Sequence, residues 1–254
     1  MSAARPVRIG VAVFPGINTD HDTWHAVTTF AGAEPVWLWH KDTDLHDVDA
    51  VIIPGGFSYG DYLRCGAIAR FSPIMQSIAD FAADGGYVMG ICNGFQILTE
   101  AHLLPGALIR NIGLKFVCRY VDLRVENAGT PFTQTAEPGD VLRIVVKHNE
   151  GNYRVDPATL ERMRDNGQVV LRYCEPDGSE RAGDEANGDG IGLLGGSSPN
   201  GSLDDIAGVC NEDFNVFGMM PHPENSVEAG LAGGADGRVF FASIIQTVLE
   251  RVTA

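Results

Sequence analysis

The feature that most constrains this chain is a turn from strand to helix, bracketed by two glycines, within residues 85–104. Residues 87–91 form a short apolar run after two glycines, which is typical of a buried β-strand. Residues 95–104 carry apolar residues at helical spacing and end before a proline, which predicts a helix. Between them lie Gly90, Cys92 and Gly94, in the G-x-C-x-G spacing of a nucleophile elbow. So sharp a turn leaves the central side chain at its tip, and only glycine fits on either side.

Cys92 is therefore the predicted nucleophile. A helix N-terminus attracts negative charge, which suits a thiolate, and the N–H of Asn93 can form half of an oxyanion hole. Free cysteines are also common in protein cores, and we expect that role for the other four. Three of these lie in strand-like runs and one in a predicted helix: Cys118, Cys174, Cys210 and Cys65.

The composition limits the partners of the chain. Of its 254 residues, 44% are hydrophobic and 20% are charged, as in ordinary globular proteins. The formal net charge of −15, without a basic stripe, argues against a nucleic-acid partner. No stretch approaches the roughly 18 apolar residues of a membrane span, and no signal-peptide core follows the N-terminus. The odd number of cysteines, without pairing spacings, indicates reduced thiols. We therefore expect a soluble, cytoplasmic protein without a nucleic-acid or membrane partner.

Strands and helices alternate over the first hundred residues, which predicts an α/β fold with a doubly wound, mostly parallel sheet. The predicted strands are residues 7–14, 35–40, 48–54 and 87–91, and the predicted helices are residues 20–31, 61–83 and 95–104.

A glycine pair, Gly55 and Gly56, follows the third predicted strand directly, and Phe57 comes next. Such a pair lets the backbone approach a ligand closely, although it also suits a plain tight turn. The phosphate-loop pattern G-x-x-x-x-G-K-[ST] is absent here and elsewhere in the sequence. Because ligands bind at the carboxyl ends of strands in such sheets, we expect the glycine pair and Cys92 along one edge.

The pattern changes after Pro105. Alternation of apolar and polar residues predicts antiparallel strands at residues 115–125 and 141–147. Further predicted elements are a helix at 157–165, strands at 169–173 and 216–220, and a last helix at 237–252. The last helix has an apolar face predicted to pack on the sheet, formed by Phe241, Ile244, Ile245, Val248, Leu249 and Val252. Residues 175–205 are rich in Gly, Asp, Ser and Asn, which predicts a long exposed loop. Without a linker or a repeat, we expect one domain over residues 1–254, with an antiparallel extension of the sheet.

His21 and His25 lie in the sequence H-D-T-W-H, which is similar to the zinc-protease motif H-E-x-x-H. Both histidines share one helix face, but aspartate is shorter than glutamate and no third ligand is apparent nearby. We therefore predict no metal site.

A candidate base for Cys92 lies in the sequence M-P-H-P-E. Prolines push the preceding residues into an extended conformation, in which His222 and Glu224 point to the same side. The carboxylate can then accept a ring N–H and orient His222 as a base. The stretch follows an apolar strand, so the same sheet edge can bring it to Cys92. The alternative is an exposed His-Pro loop with an incidental glutamate.

Together these residues resemble the signature of the triad-type (class I) glutamine amidotransferases, G-x-C-x-G-x-Q followed far downstream by H-P-E. Residues 90–96 and 222–224 carry it. Residues 54–69, 116–127 and 199–212 resemble the glutaminase subunits within this family that serve purine biosynthesis, and the likeness covers nearly the whole chain. It implies a flavodoxin-like fold. The departures are Asn225, where arginine is usual, H-N-E-G instead of H-G-E-G at 148–151, and a longer loop between 175 and 199.

The resemblance also implies roles for single residues. Cys92 would attack the side-chain amide of L-glutamine, His222 would pass a proton to the leaving ammonia, and Glu224 would orient His222. The N–H groups of Gly56 and Asn93 would bind the oxyanion. The other substrate-binding residues that it implies are Gly55, Phe57, Gln96, His148, Asn149 and Gly151.

The resemblance finally implies no cofactor on this chain. ATP and Mg would bind to a partner, an ATP-dependent synthetase subunit that works with a small accessory subunit. Two alternatives stay open. One is a stand-alone cysteine hydrolase, of the γ-glutamyl hydrolase or peptidase kind, which needs no partner. The other is a non-catalytic or regulatory module that kept the fold, against which the intact Cys92, His222 and Glu224 argue.

Overall fold

A nine-stranded sheet runs through the computed structural model, which describes residues 5–29, 33–180, 197–231 and 233–253. Its strands are β1 Val7–Val13, β2 Ala33–Trp39, β3 Ala50–Ile53, β4 Tyr87–Ile91, β6 Val117–Val125, β7 Val141–His148, β9 Val169–Cys174, β10 Ile206–Cys210 and β11 Val216–Met219. Two short strands, β5 Ala107–Ile109 and β8 Asn152–Arg154, form a separate antiparallel pair.

The order across the large sheet is β2-β1-β3-β4-β11-β10-β9-β6-β7. The first five strands of this order pair in parallel, and the last four continue the sheet with antiparallel pairs. This arrangement confirms the predicted doubly wound sheet with an antiparallel extension. Since β3, β4 and β11 are parallel neighbours, the segments that follow them emerge side by side at one edge.

Five helices pack around the sheet in the described ranges: α1 Asp20–Thr28, α2 Pro73–Ala83, α3 Asn93–Glu100, α4 Pro157–Asp165 and α5 Arg238–Thr253. Every residue of β3 is buried, and so is every residue of α3 except its last. A strand that is buried on both faces lies inside a sheet whose two faces are covered, as in a doubly wound fold. None of the described helices is long and apolar enough to cross a membrane.

The predicted helix at residues 61–83 was wrong over its first half. Two short 3-10 helices, Ser58–Asp61 and Ala69–Phe71, precede α2, which begins only at Pro73. Ser72 is extended, as expected for a residue before proline. Gly66 has a φ of +81°, and a Cβ there would lie 2.7 Å from the backbone nitrogen of Ile97. The chain therefore turns against α3 instead of continuing a helix, and Cys65 lies in that turn.

The predicted exposed loop at 175–205 was wrong for its last part. Ser198, Asn200 and Ser202 are buried, and a 3-10 helix spans Leu203–Asp205. Residues 181–196 of this predicted loop lie outside the described residues. The short strand β8, which follows β7, was not among the predicted elements.

Two helices end differently from their predictions. The first ends at Thr28 instead of residue 31, although residues 30–32 lie outside the described residues, and α3 ends at Glu100 instead of residue 104. In α5 the predicted apolar face is buried at Phe241, Ile244, Ile245 and Val248. Leu249 was expected on this face but is 48% exposed.

Candidate active site

The elbow has the predicted geometry. Cys92 has a φ of +50° and a ψ of −101°, which L residues rarely adopt, and it lies at the N-terminus of α3. A Cβ on Gly90 would lie 2.6 Å from the carbonyl carbon of Gly94, and a Cβ on Gly94 would lie 2.0 Å from the carbonyl oxygen of Ile53. Both glycines are therefore required by close packing of the turn on itself and on β3. The backbone N–H of Cys92 donates to Met219 (2.7 Å), which fixes the elbow to β11.

His222 and Glu224 form a buried pair at the end of β11. The Nδ1 atom of His222 lies 2.6 Å from Oε1 of Glu224, and both residues are at most 3% exposed. The N–H of His222 donates to Val145 (2.9 Å), so β7 holds this segment in place. The contact confirms the predicted pairing, but its reason was wrong: Pro223–Asn225 is a short 3-10 helix and not an extended segment.

The charges around His222 favour its protonated form. Burial alone lowers its pKa, but the negative charges of Glu224 and of the Cys92 sulfur outweigh burial and raise the pKa to about 9. The Nε2 atom has no hydrogen-bond partner among the described residues. With Nδ1 directed to Glu224, Nε2 is the atom that can exchange a proton with Cys92 and with a substrate.

Next to the elbow, the loop after β3 lies close to the loop after β1. The N–H of Phe57 donates to Gly16 (2.9 Å), and Asn18 donates to the carbonyl of Gly55 (3.2 Å). Gly56 lies between these two bonds with a φ of +155°, and a Cβ there would lie 2.6 Å from Cα of Ile17. These bonds do not use the N–H of Gly56, so it remains a candidate oxyanion donor together with the first N–H of α3.

Two cavities meet at Cys92. Both are lined by Gly56, Phe57, Cys92 and Lys147. The larger one, of about 230 Å³, also has in its wall Asp61, Cys65, Gln96, Arg110, His148, Asn149 and Glu150. The smaller one, of about 160 Å³, extends instead to Asn18, Phe116, Cys118 and His222. Cys92 and His222 thus line the smaller cavity, and the predicted contacts Gln96, His148 and Asn149 line the larger one beside it.

Asn93 is buried behind the cavity wall and fixes the loop of residues 55–63, called the oxyanion loop below, to the elbow. Its Oδ1 atom accepts from the N–H of Ser58 (3.0 Å), while its Nδ2 atom donates to Gln96 (2.8 Å) and to Asp61 (3.2 Å). Gln96 in turn donates to the carbonyl of Glu150 (2.5 Å). The Asn93 side chain therefore positions both walls of the larger cavity, while its N–H is available for an oxyanion.

His148 lines the larger cavity as a neutral ring. Burial and the charge of His222 lower its pKa to about 3. The amide of Asn200 donates to its Nε2 atom (3.0 Å), so the proton lies on Nδ1, which has no partner among the described residues. Gly151, predicted to contact substrate, lies behind the ring: a Cβ there would be 2.2 Å from Nε2 of His148. Gly55 also lies behind the wall, where a Cβ would be 2.6 Å from the ring of His222.

Three comparisons with known proteins agree. Residues 6–232 match the family model of the CobB/CobQ-like glutamine amidotransferase domain. The chain is 55% identical to the phosphoribosylformylglycinamidine synthase subunit PurQ of Salinibacter ruber, over 95% of this chain and 97% of the relative. Identity to the same subunit of Rubrobacter xylanophilus is 54%, over 94% and 98%. A chain in the structure of PurLQS from Thermotoga maritima has a TM-score of 0.79 at 43% identity, over 96% of this chain and 99% of that chain. The chain belongs to the PurQ family.

Membership in the PurQ family confirms the resemblance to the glutamine amidotransferases and the expectation of an enzyme. Sequence reasoning missed four side chains of this PurQ site: Asp61, Arg110, Lys147 and Glu150. Arg110 and Glu150 lie 3.7 Å apart, and burial raises the pKa of Asp61. Lys147 donates to Asn225 (2.6 Å), the residue that departs from the usual arginine. Asp61 and Glu150 lie inside stretches that carried the resemblance, residues 54–69 and 148–151, but were not assigned a role there. The unusual Asn225 was the only signal for Lys147, and no motif contains Arg110.

The H-D-T-W-H sequence plays no part in the PurQ site. His25 contacts Glu228, and the ring of His21 packs against Trp37 with centroids 5.5 Å apart. Among the described residues, no group of three His, Cys, Asp or Glu side chains could hold a metal ion.

Proposed function

We propose that this chain is the glutaminase subunit of a phosphoribosylformylglycinamidine synthase. It hydrolyses L-glutamine and delivers ammonia to an ATP-dependent synthetase subunit, which converts formylglycinamide ribonucleotide to formylglycinamidine ribonucleotide in purine biosynthesis. The observation that carries this proposal is the arrangement of Cys92 and the buried His222–Glu224 pair at the ends of neighbouring parallel strands.

The chemistry follows from this arrangement. The sulfur of Cys92 attacks the amide carbon of the glutamine side chain, and the N–H groups of Gly56 and Asn93 bind the oxyanion. Nε2 of His222 then gives its proton to the leaving nitrogen, so the carbon–nitrogen bond breaks, ammonia departs and a γ-glutamyl thioester remains. His222 next takes a proton from water, which attacks the thioester and releases glutamate and the Cys92 sulfur. Glu224 orients the ring and stabilises its charge through both steps.

The charges of the larger cavity suit a free amino acid. Glutamine carries an ammonium and a carboxylate at its α-carbon, which bind best to groups of opposite sign. Glu150 and Asp61 can bind the ammonium, and Arg110 and Lys147 can bind the carboxylate. All four line the same cavity as Cys92. A peptide substrate lacks both free α-charges in the interior of its chain, so this wall favours L-glutamine over peptides.

The ATP chemistry belongs on other chains. The sequence has no phosphate loop, so ATP and Mg bind to the synthetase subunit and this chain carries no cofactor. We place the enzyme in the cytoplasm with a PurL-type synthetase subunit and a PurS-type small accessory subunit. PurLQS of Thermotoga maritima unites chains of these names.

Docking on the partner activates the glutaminase through the oxyanion loop. Tyr59, Asp61 and Leu63 have φ values of +54°, +53° and +72°, and each such conformation costs a non-glycine residue about 1 kcal/mol or more. Tyr62 and Leu63 are 74% and 91% exposed beside this strained backbone. A partner that covers these side chains can shift the loop and complete the oxyanion hole. The smaller cavity, which passes His222 towards the exposed Phe116, gives ammonia a route to that partner.

The test is the kcat/KM of glutamine hydrolysis by the isolated chain, compared with the complex of PurL-type and PurS-type subunits. The complex receives a nucleotide and formylglycinamide ribonucleotide. We expect an isolated chain that is nearly idle and a large increase in the complex. An isolated chain as fast as the complex would refute the coupling and favour the stand-alone hydrolase.

A further inference from the structure

All three tryptophans of the chain lie together at one edge of the sheet. The ring of Trp24, on α1, stacks on Trp37, on β2, with centroids 4.2 Å apart and an angle of 19°. Trp39 lies two residues further along the same face of the strand. Trp37 and Trp39 are 38% and 46% exposed. Clustered exposed aromatic side chains of this size mark an interaction site more often than scattered ones do.

A cavity of about 280 Å³ opens between these rings. Its walls are Val13, Asp20, His21, Trp37 and Trp39. Asp20 is half-buried, and its carboxylate has no hydrogen bond or ion pair with another side chain in the described part of the protein. The cavity thus combines two indole rings with one unpaired carboxylate.

The charges around the cavity are mainly negative. Asp20 lies in its wall, and the carboxylate of Asp42 accepts from the N–H of Trp39 (3.3 Å), whereas residues 37–44 contain a single ammonium group, that of Lys41. The whole chain has a net charge of −15, which makes a second copy an unfavourable occupant. The fitting occupant carries positive charge.

We propose that this tryptophan cavity is the docking site for an arginine side chain of a protein partner. A guanidinium group is planar and weakly hydrated, stacks on indole rings and binds a carboxylate through two N–H groups. The wall offers each of these contacts, the rings of Trp37 and Trp39 for stacking and Asp20 for the charged hydrogen bonds. A lysine ammonium lacks the flat surface that this pair of rings matches.

The position of the cavity favours a protein as the source of that arginine. Val13 and Trp39 are the last residues of β1 and β2, so the tryptophan cavity lies at the same edge of the sheet as the two cavities at Cys92. The loop between β1 and α1 joins the two places, because Asn18 lines the cavity beside Cys92 and Asp20 begins α1. A partner protein that covers the cavities at Cys92 can therefore also contact the tryptophan cavity. This step rests on the proposed function, whereas the docking site itself does not.

Contacts also connect the tryptophan cavity to the oxyanion loop. The ring of Trp39 packs against His40 with centroids 4.6 Å apart, and Nδ1 of His40 lies 2.7 Å from the hydroxyl of Tyr59. Tyr59 belongs to the strained loop that follows Gly56. An arginine bound on Trp39 is therefore connected through His40 and Tyr59 to the oxyanion loop.

The experiment measures the Kd between the full chain and a preassembled complex of the PurL-type and PurS-type subunits, by sedimentation velocity. Asp20→Asn removes the charge and keeps the shape, so we expect a Kd about tenfold weaker, the usual effect of losing a charged hydrogen bond. Trp39→Leu should weaken binding by a similar factor. The matched control is Asp165→Asn, at the exposed last residue of α4 and outside the wall of the tryptophan cavity, which should change the Kd by less than about twofold.

Two further arms separate the outcomes. Cys92→Ser should bind the complex as tightly as the natural chain, which keeps docking distinct from the proposed catalysis. Titration of the isolated chain with N-acetyl-arginine amide, followed by tryptophan emission, tests a free ligand, because two of the three tryptophans line this cavity and the third stacks on one of them. The proposal is overturned if Asp20→Asn and Trp39→Leu, both folded by circular dichroism, keep the natural Kd. It is also overturned if the free amide binds as tightly as the complex does.

Discussion

Nδ1 of His222 lies 2.6 Å from Oε1 of Glu224, and neither side chain reaches solvent to any useful extent. A buried imidazole in contact with a carboxylate has one nitrogen occupied, so only Nε2 can take part in proton transfer. Burial by itself lowers the pKa of His222, but the negative charge of Glu224 opposes this effect, and the pKa is raised. It also separates the two roles that mutation can test, orientation and proton transfer.

Glu224→Gln should lower kcat but leave measurable glutaminase activity in the complex, whereas His222→Ala should leave less, because an orienting acid contributes less than the base. Loss of the Glu224 charge lowers the pKa of His222, so the alkaline limb of the pH–rate profile should move to lower pH. Rates measured from about pH 6 to about pH 10 would show the shift. A lower glutaminase activity in Glu224→Gln than in His222→Ala would contradict these roles.

Gly94→Ala should destabilise the fold, because the added Cβ would meet the carbonyl oxygen of Ile53 at 2.0 Å and backbone cannot rotate away. We expect a loss of about 3 kcal/mol in the free energy of unfolding, measured with urea. Gly230→Ala is the matched control, since a Cβ at that exposed glycine has nothing within 4 Å. Equal stability of the two variants would mean that the elbow is not as tightly packed on β3 as described.

The elbow was predictable from sequence because its causes are local. The glycines at positions 90 and 94 are required by a turn of five residues, and their spacing is visible in the sequence itself. The pairing of His222 with Glu224 was predictable for the same reason, although the prolines produce a 3-10 helix where an extended segment was expected.

The rest of the site depends on contacts between distant segments. Asn200 binds His148 across 52 residues, and nothing near Asn200 in the sequence indicates a buried position. Arg110 reaches the cavity from the segment after β5, a strand too short to predict. The false helix at residues 61–83 had helical composition, but the packing of Gly66 on α3 overrides it. A signal for the true start, the serine before Pro73, was present in the sequence.

His148 should make the protein sensitive to acid. Its pKa lies at about 3 in the folded chain, below the ordinary value of 6.5, so the unfolded chain takes up the proton first. Its contribution to stability is therefore present above about pH 6.5 and lost as the pH falls towards 3, by at most about 1.4 kcal/mol per pH unit. His148→Gln should remove this part of the pH dependence. Urea unfolding at about pH 7 and about pH 5 tests it, and an equal loss in both proteins would contradict the prediction.

Glu150→Gln should raise the KM for glutamine more than it lowers kcat, because the lost charge binds the α-ammonium and not the reacting amide. We expect an increase of about tenfold, in line with a charged hydrogen bond. The backbone carbonyl that accepts from Gln96 stays in place. Glu137→Gln, at an exposed position outside both cavities, is the control. An unchanged KM in Glu150→Gln would remove this residue from glutamine recognition.

The role of Cys92 as the nucleophile is tested by the synthesis of formylglycinamidine ribonucleotide in the complex assembled with Cys92→Ala, supplied with either glutamine or ammonium salt. We expect synthesis from glutamine to be abolished and synthesis from ammonia to survive at the natural rate, because only the first reaction needs the thiol. Cys65→Ser, in the wall of the same cavity, should keep both reactions, because burial raises the pKa of that thiol and keeps it neutral. Glutamine-dependent synthesis that persists without Cys92, or that disappears without Cys65 alone, would show that Cys92 is not the nucleophile.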